Sequence, residues 1–249
     1  MATTIDYTQH FPADPQTVWA MLKDPATRLK IKQDKDFQMW VHEHGSWEGI
    51  VLGRARQPQN RKYEGMRLAQ IATLRGDADP ADTCLALMAE EGGTISGMFH
   101  TMSEQDVRTV MKLPWVAIAS DGSVLNLTEE GFPHPRSYST NVRVLGHYVR
   151  DEKVLALEDA VRKMTSLPAQ ILGLRDRGQI HEGFAADVVV FDPATVGETN
   201  SFEKPKSYAT GVRYTIVNGA IVIDAGNHTG ARPGRALKGR GTAPERSIP

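Results

Sequence analysis

An aspartate, an arginine and three histidines are the side chains of this sequence best suited to chemistry. Asp121 follows the apolar run 115–120 and precedes Gly122. Catalytic groups of α/β proteins sit just past strand ends, and a carboxylate there can move protons. Asp-Gly is equally a common turn dipeptide, so position alone leaves both roles open. Arg136 belongs to His134-Pro135-Arg136, within a stretch, 123–141, rich in Ser, Asn, Pro and Gly that reads as a loop. Its planar guanidinium can grip a carboxylate with two parallel hydrogen bonds; an exposed basic loop is the plainer reading. His42 and His44 flank Glu43. On a strand, an i, i+2 pair faces one side and can share a metal, but Trp40-Val41 before and Gly45-Ser46-Trp47 after read as a strand end entering a loop. His100 follows Gly97-Met98-Phe99 at the end of another expected strand. It could point into a site or be a satisfied structural histidine.

The lone cysteine, Cys84, lies in the apolar string TCLALM and reads as a buried structural thiol. One cysteine excludes an internal disulfide and a multi-cysteine zinc site. The sequence has no Gly-rich phosphate loop, no Gly-x-Ser-x-Gly and no His-Glu-x-x-His.

Three helices announce themselves by the same device, at Asp14-Pro15, Asp24-Pro25 and Asp79-Pro80. Asp accepts from the free amides of a first turn, and Pro at the first helical position loses nothing by lacking an N–H. The third helix carries Leu85, Met88 and Ala89 at helical spacing and should stop at Gly92-Gly93. Ser103 should cap another, with Val107, Val110 and Met111 on one face and Pro114 beyond its end. The continuous apolar run 115–120 fits a strand buried on both faces of a parallel sheet. Helical period returns at Leu157, Ala160, Val161, Met164 and Leu167. Residues 186–191 read as a strand. Val212–Val217, Asn218-Gly219 and Ala220 onward read as a β-hairpin, because Asn-Gly readily takes two positive φ values. About 175 α/β residues thus precede a small β-rich region.

The whole chain is ordinary for a soluble globular protein: 249 residues, 40% hydrophobic and 24% charged. Such a length buries a core without staples. A net charge of −1 gives no reason to expect nucleic acid. The start of the sequence lacks the basic-then-apolar pattern of a signal peptide, and no apolar run can span a bilayer. A cytoplasmic protein is expected. The last 25 residues hold Arg232, Arg235, Lys238, Arg240 and Arg246 against Glu245, and read as a loosely ordered basic tail.

Several stretches together are specific: WVAIASDGS (115–123), PHPRSYSTNVRVLGHYVR (133–150), GQIHEGFAADVVVFDP (178–193), VRYTIVNGAIVID (212–224) and NHTGARPGRALKG (227–239). They resemble the C-terminal part of the N-acyl-D-amino-acid deacylases (D-aminoacylases) of the metal-dependent amidohydrolase superfamily, over residues 14–241. The resemblance implies an α/β fold: the last strands and helices of an incomplete (β/α)8 barrel over 1–176, a small β-sandwich portion over 177–226 and a basic Gly/Pro-rich tail over 227–249. Residues 117–120 would be the last barrel strand. Asp121 would be the aspartate that takes a proton from water and passes it to the leaving amine, with a possible contact to a second metal. Arg136 would hold the substrate carboxylate; no role carries over to His134.

Zinc is the implied cofactor, making water a nucleophile near neutral pH. The family's main metal ligands come from its N-terminal half and have no match here; His42-Glu43-His44 falls in the late-barrel part. The chain therefore resembles a deacylase that starts after about the sixth barrel strand, leaving open sheet edges. The implied reaction is hydrolysis of a linear N-acyl-D-amino acid, a small-molecule substrate, with neither nucleic acid nor membrane as partner. The alternatives are a non-catalytic remnant, a subunit needing a complementing N-terminal chain or self-association, and a cyclic-amide hydrolase. The Arg136 loop weighs against the last.

Overall fold

The computed structural model describes residues 14–237. The first thirteen residues and the basic positions Lys238, Arg240 and Arg246 lie outside the described residues. The chain forms two compact units. One runs through Thr101 and takes in Thr128–Pro133; the other holds Met102–Leu127 and everything from His134 on.

Three helices of the first unit start at a capping Asp followed by Pro. In α1 (Pro15–Met21), α2 (Pro25–Gln33) and α6 (Pro80–Glu90), Asp14, Asp24 and Asp79 accept first-turn amides with proline at the helix start, as the sequence predicts. Between them lie α3 (Lys35–Glu43), α4 (Ser46–Gly49), β1 (Ile50–Arg54) and α5 (Leu68–Arg75). Strand β2 (Ser96–Phe99) pairs antiparallel with β1, Val51 opposite Met98. The core packs Ile50 and Leu52 of β1 against Leu68 and Ile71 of α5 and Leu87 of α6, with Cys84 beside them. A satellite cluster joins Leu22, Leu85 and Ala89.

The second unit begins with α7 (Glu104–Met111), where the Ser103 hydroxyl accepts from Asp106 N–H. Helix α8 (Arg136–Arg143) continues without a break into a π-helical stretch, Val144–Asp151. Then come α9 (Leu157–Met164) and α10 (Ser166–Leu172). Met111, Val144, Leu145, Tyr148 and Ala160 form the core of this unit with Val196. A four-stranded antiparallel meander follows: β3 (Val188–Phe191), β4 (Val212–Val217), β5 (Ala220–Asp224) and β6 (Asn227–His228). The β4–β5 turn has φ +46° at Asn218 and +81° at Gly219, as the Asn-Gly reading requires.

Four expectations are corrected. Residues 115–120 form no strand: they run as irregular chain, with Trp115 68% exposed. A strand needs a neighbour's ladder, and among the described residues every strand pair is antiparallel and none includes this segment. Lys163 satisfies part of it instead. Its fully buried ammonium donates to the carbonyls of Leu113 and Val116, and its own carbonyl accepts from Ile118 N–H at 2.9 Å. The loop expected over 123–141 ends early, because α8 starts at Arg136. Ser139 and Thr140 are turn-formers that here bond back to the carbonyls of Pro135 and Arg136. His42 and His44 lie at the end of a helix, not a strand. The tail is ordered at its start, where β6 pairs with β5.

Candidate functional site

Asp121 and Arg136, fifteen positions apart in sequence, meet in space. The Arg136 guanidinium (Nη2) stands 2.7 Å from the Asp121 carboxylate (Oδ2). Both are open to solvent, Asp121 the more so, with 84% of its side chain exposed. Asp121 takes a left-handed backbone, φ +49°, which Asp tolerates better than most residues. The turn is braced locally. The Ser120 hydroxyl accepts from Gly122 N–H at 3.2 Å, and the Ser137 hydroxyl accepts from Ser123 N–H at 3.2 Å. Gly122 is required by close approach: a Cβ there would lie 2.9 Å from the Arg136 carbonyl and from Ser137 Cα. The Asp121 turn therefore lies directly on the first turn of α8.

The other jaw is braced through its backbone. Arg136 N–H donates to His134 Nδ1 at 3.0 Å, and the edge of the His134 ring meets Phe202, centroids 5.1 Å apart. The Pro135 carbonyl accepts from Tyr138 N–H at 3.0 Å, from the Ser139 hydroxyl at 3.3 Å and from the Asn200 side-chain amide at 3.1 Å. Tyr138 in turn donates its hydroxyl to Asn126 O at 3.0 Å. Ser120, Ser137, Asn200 and Phe202 escaped the sequence reading. They are small or turn-forming residues at no telling spacing, and only the folded chain brings them to Arg136.

The remaining candidates, His42, His44, His100 and Cys84, belong to the first unit. Within the first unit, His44 stacks on Trp40 with centroids 4.6 Å apart and shares a 2.7 Å contact from Nδ1 to the Trp40 carbonyl. On a helix, His42 and His44 are two positions apart and point to different sides. His100 contacts Gly49 O through Nδ1 at 3.1 Å, alongside the backbone bond His100 N–H to Gly49 O at 2.9 Å, a structural role. Burial pushes the Cys84 thiol up to about 12, so it is not a nucleophile near neutral pH. Among the described residues no group of three His, Cys, Asp or Glu side chains is placed to hold a metal ion. These residues alone therefore do not fit the zinc that the resemblance implies, and Asp121 offers it a single carboxylate.

What the pair can do follows from its chemistry. A solvent-accessible carboxylate can accept and return a proton. A guanidinium has five donors in a fixed fork, so Arg136 can engage a second carboxylate with the donors Asp121 leaves, or exchange one for the other. The ion pair thus sets a group able to carry a proton beside one able to grip an anion.

The amidohydrolase family matches residues 13–223, a span that includes both side chains. The chain belongs to that family. Its similarity runs to particular hydrolases. It is 45% identical over 140 residues to a D-aminoacylase of Alcaligenes xylosoxydans xylosoxydans, covering 56% of this chain and 28% of that protein. A solved D-aminoacylase, described for its binuclear metal centre, superposes with TM-score 0.62 at 36% identity, over 73% of this chain and 36% of that one. An N-acyl-D-glutamate deacylase from Bordetella bronchiseptica, solved with zinc and a phosphonate mimic of the tetrahedral intermediate, gives 0.63 at 32% identity, over 73% and 36%. The chain spans about a third of the length of these relatives. Among the described residues, no helix is long and apolar enough to cross a membrane.

Proposed function

We propose that this chain is the C-terminal portion of an N-acyl-D-amino-acid deacylase, which hydrolyses a linear amide to a carboxylate and a D-amino acid. The observation that carries the reading is the 2.7 Å pairing of Asp121 with Arg136. This contact supports reading the two side chains as partners in one site. Asp121 moves the proton: it accepts one from the attacking water and delivers it to the departing amine, which would otherwise leave as an unfavourable anion. Arg136 grips the α-carboxylate and so sets the scissile amide at a fixed distance from Asp121. Substrate binding exchanges the Asp121 contact on Arg136 for the substrate's own carboxylate, and frees Asp121 as it does so. A zinc ion would supply the electrostatic activation of water, and its ligands would come from outside the residues described here.

The test is the Arg136→Ala variant of the active enzyme. We expect KM for N-acetyl-D-amino acids to rise by about tenfold or more, with kcat changed far less, the loss of one charge-assisted contact. An unchanged KM would remove the grip from the account.

A second reading concerns how the active form is built, and the apolar run 115–120, exposed at Trp115 and half-buried at 116–118, favours it. With Trp115 68% exposed and no strand beside it, this segment is suited to pair with strands supplied by a complementing N-terminal chain. In that assembly residues 1–176 contribute the last part of a (β/α)8 barrel, 117–120 its final strand, 177–226 the small β-sandwich portion and 227–249 a basic tail. An isolated chain of this kind would be a remnant without turnover.

A further inference from the structure

We propose that Asn200 is the positioning residue for Arg136, and that the loop 198–208 thereby sets the geometry of the substrate-carboxylate site. The inference rests on the reading of Arg136 given above. A peptide group is planar, so fixing its two ends fixes where the next Cα lies, and the helical φ at the start of α8 then sets the direction in which the Arg136 side chain leaves the backbone. The peptide joining Pro135 to Arg136 is held at both ends. Its carbonyl accepts from Asn200 Nδ2 at 3.1 Å, and its N–H donates to His134 Nδ1 at 3.0 Å. The loop controls both restraints, because Phe202 packs its ring against His134.

Asn200 is committed to this task. Its amide donates to two carbonyls, Pro135 at 3.1 Å and Pro205 at 2.9 Å. Two acceptors on one side settle which way the amide faces. Its Oδ1 is left buried with no hydrogen-bond partner, a state that costs free energy. An alanine would avoid that cost and lose only the tether to Pro135 and Pro205.

The loop is stiff enough to act as a brace. Thr199 Oγ1 lies 2.5 Å from Ser207 Oγ and donates to the Tyr208 carbonyl at 3.1 Å. The Ser201 hydroxyl accepts from the amides of Glu203 and Lys204, each at 3.2 Å. Two further contacts seat it along α8: Glu198 with Arg143 at 2.7 Å, and Tyr208 edge-on to Tyr138, centroids 6.3 Å apart. Asn200 itself touches no reacting group. It acts through the backbone of Arg136.

The experiment titrates the full chain with N-acetyl-D-leucine and with its carboxamide, read by NMR, and follows amide exchange at Tyr138. Wild type should prefer the carboxylate form by about tenfold, and Arg136→Ala should erase that preference. Asn200→Ala, and the isosteric Asn200→Asp, should cut the preference several-fold and speed exchange at Tyr138. Thr199→Val, which loosens the loop but spares the tether, should leave the preference intact. If Arg136→Ala erases the preference but both Asn200 variants keep it, the positioning role is wrong and the Arg136 grip stands. If wild type shows no preference, or Arg136→Ala retains it, the grip itself is wrong and the Asn200 role falls with it. An equal loss in Thr199→Val would reduce Asn200 to general loop stability and overturn its specific role.

Discussion

Single residues decide whether this surface can do chemistry. The pairing of Asp121 and Arg136 depends on a neighbour with no side chain. Gly122 lies where any Cβ would press on backbone atoms 2.9 Å away, in the first turn of α8. Backbone cannot swing aside as a flexible side chain can. We therefore expect Gly122→Ala to lower stability by about 1–3 kcal/mol, as overpacking does, and to raise KM by moving the Asp121 turn off α8. A urea midpoint equal to wild type would show that the turn has room to spare. Asp121 and Arg136 were legible in the sequence as separate candidates, because a carboxylate past an apolar run and an arginine in a Pro-containing loop are both recognisable types. Their contact was not legible. Nothing in the fourteen intervening positions encodes which loop residue folds back on which turn.

Helix starts were the most readable elements, because a cap is local chemistry. Asp79 shows the logic. Burial pushes its carboxyl up, but the Ala81 amide and the Lys32 ammonium, 3.0 Å away, outweigh that and hold it below the usual carboxylate range. A carboxyl depressed on folding contributes stability above its unfolded value, near about 4, and loses it as pH falls through the lower folded value. Asp79→Ala should thus cost about 1 kcal/mol at pH 7, and the gap to wild type should close below about pH 4. Denaturation midpoints of both proteins across that range check this, and a gap that widened on acidification would be the wrong sign.

Elements set by distant partners were less readable. Residues 136–141, the end of the stretch 123–141, look loop-like because Ser, Thr and Asn compete for backbone bonds. Tertiary packing of Val144, Leu145 and Tyr148 makes them helical all the same. The run 115–120 has the composition of a strand, and composition cannot supply the neighbour a strand needs.

At the scale of the whole molecule, the family match over 13–223 and a length about a third that of the relatives frame the account. The hairpin, the capped helices and the three clusters of buried residues give this chain its own cores. The side chains of Asp121, Arg136 and Trp115 are open to solvent. The most direct test joins the chain to a complement. It would be co-expressed with the part of the Alcaligenes D-aminoacylase that precedes the matched region, supplied with zinc, and assayed on N-acetyl-D- and N-acetyl-L-leucine. The account predicts D-selective hydrolysis that Asp121→Asn reduces at least about a hundredfold, the usual reach of general acid–base catalysis, while the two chains still co-purify. Turnover that is equal for both enantiomers, or undiminished in Asp121→Asn, would contradict it.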